Sequence, residues 1–168
     1  MALIVEDGSV VTGADSYISV TDATTYFDNH SAPTTWTSSN TAKKEGALRY
    51  ATTSVDGMFL FTGEVFSLTQ PLAWPRSDAT DYEDRTIATN TVPQRVKDAT
   101  CELALLHLTK PLNQNYDRGG ETKIEEVGPI KVEYFSNASV EPFIPMIVRI
   151  IGGLGTLRST MSGEIERA

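Results

Sequence analysis

A chain of 168 residues with 40% hydrophobic content is long enough to bury one domain core and leaves little for a second. Its net charge of -8 excludes a protein that coats nucleic acid by wholesale phosphate neutralisation, which takes clustered Lys and Arg; Lys43 and Lys44 are the sole adjacent basic residues. The lone Cys101 cannot close an internal disulfide, and the longest apolar run, around Ile150 and Ile151, falls far short of a membrane span. A leaderless protein made in a reducing host cytoplasm, without membrane contact, is therefore expected.

The first 42 residues hold five acidic residues, Glu6, Asp7, Asp15, Asp22 and Asp28, and no basic one. Within them, residues 1–18 carry Gly8, Gly13 and alternating valines and read as an extended arm with a turn, of the kind that docks on a neighbouring subunit or partner. Ser19 and Thr21 can cap a short helix through Ala23, Tyr26 and Phe27 to about Asn29, which Ala32–Pro33 ends, leaving Trp36 in a loop. A longer helix starts near Ser38 or Asn40 and runs to Val55, burying Ala47, Leu48, Ala51 and Val55, with Gly57 closing it. Residues 58–91 show little periodicity but hold Phe59, Phe61, Phe66 and the run Pro71-Leu72-Ala73-Trp74-Pro75-Arg76-Ser77. A loop of that length with its own aromatics is usually functional or packed on a partner.

Val92 to Leu108 reads as a helix opened by Pro93, with Val92, Val96, Ala99, Leu103 and Leu106 on one stripe and Cys101, Ala104, Leu105 and Leu108 on a second. A helix apolar on two faces needs two partners, one its own core and the other expected to be a neighbouring subunit. Pro111 ends it, residues 117–120 form a hinge, and residues 121–135 read as a β-hairpin around Gly128–Pro129. A last helix, 143–152, carries Phe143, Ile144, Ile147, Val148, Ile150 and Ile151, apolar almost all round. These six are candidate interface residues, the alternative being a fully enclosed core helix. Residues 156–168 are a polar tail. The fold class is mainly α: a small helical bundle with a long aromatic-containing loop and one β-hairpin, in a single domain over 1–155 that forms assemblies.

Chemistry is sparse. Asp81, Glu83 and Asp84 lack the glycine-punctuated spacing of a calcium loop and read as solvated carboxylates. His107 follows Cys101 by six residues, which is not one helical face, so no Cys–His nucleophile pair is assigned. His30 ends a helix, where a cation meets the dipole. Trp36 and Trp74 lie close to prolines with no basic track beside them and read as core plugs rather than base-stacking platforms. No catalytic, metal or cofactor residue is assigned, and a non-enzymatic role is expected.

The opening MALIVEDGSVVTGADSYISVTDATTYF, then ALRYATTSVDG, QPLAWPRS, VPQRVKDATCELAL and RGGETKIEEVGPIKVEY, in that order, resemble a family of tailed-bacteriophage proteins. That family is described both as head-to-tail connectors or adaptors and as DnaT-like single-stranded-DNA-binding proteins. The connector resemblance implies a virion protein forming a dodecameric ring between the portal and a tail or neck component such as a stopper, tail-tube or nozzle protein. Duplex DNA would pass through the ring without specific contacts, and Phe143 to Ile151 would contact siblings or portal. An acidic channel lining suits such passage through like-charge repulsion. The alternative is a single-stranded-DNA-binding protein, which the acidic balance disfavours and which predicts micromolar or tighter oligonucleotide binding that weakens steeply with salt.

Overall fold

The computed structural model describes residues 2–110 and 145–158, together with the backbone of residues 124–127 and 130–133. Its helices are α1 (Val20–His30), α2 (Thr34–Thr37), α3 (Thr41–Met58), α4 (Gln94–Thr109) and α5 (Pro145–Ile151). Its strands are β1 (Phe59–Phe61), β2 (Glu64–Val65), β3 (Arg76–Ser77), β4 (Ile124–Val127), β5 (Ile130–Glu133) and β6 (Gly155–Leu157).

Local chemistry sets the helix starts. The Ser19 hydroxyl accepts the Asp22 amide N–H at 3.0 Å and donates to the Asp22 carboxylate at 2.7 Å, a reciprocal cap for an otherwise orphaned donor. Asn40 Oδ1 accepts the Lys43 N–H at 2.9 Å and opens α3 as its sequence suggests. Trp36, expected in a loop, sits instead on the single turn α2, fully buried, with its Nε1 donating to Thr24 Oγ1 at 3.1 Å. Gly57 does not close α3. The helix runs through it to Met58, because Phe59 still donates its N–H to the Val55 carbonyl before the chain extends into β1.

Helix α4 is the centre of the core, burying Val96, Ala99, Thr100, Cys101, Leu103 and Ala104. Helices α3 and α5 pack most extensively on it, with α1 and α2 adding further contacts. Of the second apolar stripe, Cys101 and Ala104 are buried within the chain, while Leu105 and Leu108 are only partly buried. The same holds for α5: Ile147 and Ile151 are fully buried, while Val148 and Ile150 are partly buried against the same core. A helix of 7 residues is short enough for one small core to enclose, so the enclosed-core alternative describes Ile147 and Ile151. Phe143 and Ile144 lie outside the described residues.

Strand β6 pairs antiparallel with β1 in the register Phe59↔Leu157, Leu60↔Thr156, Phe61↔Gly155, extended by Arg158 N–H to the Met58 carbonyl at 2.8 Å. Residues 156–158, read from sequence as the start of a polar tail, therefore belong to the folded body. Strands β2 and β3 form a second antiparallel pair. The hairpin expected within 121–135 is present as β4 and β5, with Val127 opposite Ile130.

Residues 2–18 fold back on themselves and on the body. Asp15 donates its amide to the Ile4 carbonyl and accepts the Ile4 N–H on Oδ1, both at 2.8 Å. Gly8, at φ +109, packs so closely on the Asn90 carbonyl that no Cβ fits there. No helix among the described residues is long and apolar enough to cross a membrane.

Candidate functional site

Polar side chains, placed by the helices, pin the long 59–91 segment. Tyr17, fully buried, donates its hydroxyl hydrogen to Asp56 Oδ1 on α3 and accepts the Trp74 N–H at 3.2 Å, while Asp56 Oδ2 accepts the Ala73 N–H at 2.9 Å. Burial, then the Asp56 charge, pushes the Tyr17 pKa well above the ordinary tyrosine range; burial raises that of Asp56, against the hydrogen bond from Tyr17. Arg76 ties the loop from its other side, donating to the carbonyls of Thr62 and Gly63 at 2.7 Å each and of Ala73 at 3.1 Å. This network uses its polar atoms internally and carries no free nucleophile.

A groove of about 700 Å³ opens between the amino-terminal segment, α1 and the start of α4. Carboxylates of Glu6, Asp7, Asp22 and Asp98 line it, against Lys97 and the Tyr26–His30 stack, whose ring centroids are 4.2 Å apart. Glu6 is fully buried, but its carboxylate accepts the amides of Gly8 at 2.8 Å, Val10 at 3.0 Å and Val11 at 2.8 Å, which fixes the loop rather than presenting a reactive group. An acidic rim of this kind repels phosphate.

A different surface lies where α3 meets the end of α4. The Tyr50 ring stacks on the His107 imidazole with centroids 4.6 Å apart and planes 18° off parallel, and Tyr50 remains 45% exposed. Burial lowers the His107 pKa, so the imidazole is neutral at pH 7 and stacks as an uncharged ring. Lys43 lies two helical turns before Tyr50 on the same face of α3, and Lys110 follows His107 by three residues; both lysines are exposed. Gly46, between Lys43 and Tyr50 on that face, has nothing within 4 Å of where a Cβ would stand. The second exposed aromatic with a cation, Tyr82 under Arg95 at 5.6 Å, sits among Asp81, Glu83 and Asp84.

The residues singled out from sequence are scattered. Cys101 is buried and its thiol pKa is raised by that burial, while His107 faces Tyr50. Asp81 and Glu83 turn toward Arg85, at 2.7 and 2.9 Å, and Asp81 Oδ1 also caps the Glu83 and Arg85 amides. Among the described residues no group of three or more His, Cys, Asp or Glu side chains is placed to hold a metal ion. His30 Nδ1–H donates to the Tyr26 carbonyl, 2.7 Å away, at the end of α1. Trp36 and Trp74 are fully buried, so neither ring is open to a base. Sequence reasoning missed the Tyr50–His107 pair, since the two lie on different helices; the signal within reach was Lys43 and Tyr50 at a spacing of seven on the polar side of α3.

No curated protein and no solved structure matches the chain. A family model does, described as "Putative DnaT-like ssDNA binding protein", along residues 1–168. The single-stranded-DNA alternative drawn from the sequence fits that match better than the phage-connector reading. On a match over its whole length, the chain belongs to the DnaT-like ssDNA binding protein family.

Proposed function

We propose that this protein binds single-stranded DNA, through a local surface rather than through its overall charge. The observation that carries this reading is the family match along residues 1–168. The packing supports it indirectly: the apolar stripes of α4 and α5 that argued for assembly from sequence are largely taken up inside the chain. Four arginine side chains among the described residues are occupied as well. Arg49 pairs with Asp15 at 2.6 Å, Arg85 with Asp81 at 2.7 Å, Arg76 holds loop carbonyls, and Arg95 donates to the Gly152 carbonyl at 3.0 Å. Few basic side chains then serve phosphate contact, with base stacking supplying the rest. Carboxylates farther than about 10 Å from the bound strand are largely screened at 0.1 M salt, so a net charge of -8 slows approach without abolishing local binding. Fluorescence anisotropy of a labelled oligothymidylate, titrated from low to physiological salt, tests this. The expected result is micromolar binding with a salt slope shallower than a basic protein gives, and preference over duplex DNA. Absence of binding at the lowest salt overturns it.

A second reading, the head-to-tail adaptor in a virion, is favoured by one feature, the exposed apolar side chains Leu60, Val65, Phe66 and Leu68. It expects a closed ring by native mass spectrometry, alone or with portal protein, and a monomer under both conditions removes it.

A further inference from the structure

Resting on the single-stranded-DNA reading, we propose that Tyr50 and His107 form the base-stacking platform, with Lys43 holding a phosphate beside it. The stack is already half built. One face of the Tyr50 ring is covered by the imidazole at 4.6 Å, so its 45% exposure belongs to the opposite face and the edge, where an unpaired base extends the column to base, phenol, imidazole. Every base has a π face, so such a platform is tolerant of sequence. The ring is presented on a rigid 18-residue helix rather than on a loop, which spares the ordering entropy of a mobile side chain support. Gly46, between Lys43 and Tyr50 on the same face, has nothing within 4 Å of where a Cβ would stand and leaves room beside the ring.

The competing aromatic surfaces fail on charge or access. Trp36 and Trp74 are fully buried, Tyr26 has its hydroxyl bonded to Glu102 at 2.8 Å beside the acidic groove, and Tyr82 already carries Arg95 over its ring at 5.6 Å, with Asp81, Glu83 and Asp84 beside it in sequence. Phe66, 54% exposed, lies next but one to Glu64, and the arginine across the β2–β3 pair, Arg76, is committed to loop carbonyls.

The test is anisotropy with labelled oligothymidylate on the full chain and on Tyr50→Ala, Tyr50→Trp, Lys43→Gln and Tyr82→Ala, each checked for an unchanged melting curve. Tyr50→Ala is expected to weaken binding about tenfold, in line with the loss of one stacked base. Tyr50→Trp restores or exceeds wild-type affinity, which a merely structural role for Tyr50 does not produce. Lys43→Gln lowers the slope of log affinity against log salt by about 0.7, and Tyr82→Ala changes nothing. Wild-type binding that Tyr50→Ala leaves intact overturns the platform while the single-stranded-DNA reading stands. A wild-type chain that binds no oligonucleotide overturns both.

Discussion

In the helical body, α4 presents buried Val96, Ala99, Leu103 and Ala104 to its neighbours, and order comes from apolar area removed from water. In residues 59–91 the same chain is ordered by a handful of polar anchors, Tyr17, Asp56 and Arg76, around Trp74, while Val65, Phe66 and Leu68 stay exposed. The body tolerates surface change and fails on loss of volume. The loop is expected to tolerate change at its exposed apolar positions and to fail on loss of one donor or acceptor.

The largest expected effect is in the body. Leu103→Ala removes a fully buried side chain and should cost about 2–5 kcal/mol by denaturant unfolding. Ile147→Asp, which puts a charge in the core, should unfold the isolated chain by circular dichroism rather than free a folded monomer. A folded, soluble Ile147→Asp monomer would return α5 to the list of subunit contacts.

Next comes Arg76→Ala, expected to cost about 2–3 kcal/mol because the carbonyls of Thr62, Gly63 and Ala73 lose a charged donor. The contrast with the body is in the readout: Trp74 fluorescence should shift red at a lower denaturant concentration than the helical signal. Coincident transitions would mean that loop and body are one cooperative unit. Asp56→Asn should follow at about 1–2 kcal/mol, since an amide cannot accept from both Tyr17 and the Ala73 N–H.

The pH dependence separates the same two regions. Tyr17, Tyr26 and Cys101 all have pKa values raised first by burial. Their neutral forms stabilise the fold fully below the unfolded-state pKa values, about 8.5 for Cys and 10 for Tyr, and that stability is lost as pH rises through and above them. Melting temperature should therefore fall above about pH 9, and Tyr17→Phe should blunt the fall. Asp56 has the same sense at the acid end: its pKa is raised, so its ionised form opposes folding, and acidification through that raised pKa relieves the opposition. The smallest effect belongs to the exposed loop apolars, where Phe66→Ser should stay within about 0.5 kcal/mol.

What was legible in the sequence follows this division. Ser19 and Asn40 announce their helices because a cap is a local interaction, and the stripes of α4 announce burial because periodicity is local too. Whether that burial is met by the same chain or another is not a local property: Ile147 and Ile151 are enclosed within the chain, while Leu105, Leu108, Val148 and Ile150 are only partly buried. Trp74 is legible as a core plug, but the Tyr17 to Asp56 bridge that positions it joins residues 39 apart and leaves no spacing signal. The Tyr50–His107 pair is hidden for the same reason.

The pairing of β1 with β6 has a consequence during synthesis. The strand that follows α3 emerges well before the segment that completes its ladder, which is made only after α4 and α5. Until Gly155 to Arg158 arrive, Leu60 and the backbone groups beside it stand as an uncovered edge on the nascent chain. Truncations that stop before Gly155 should consequently aggregate, however complete their helices.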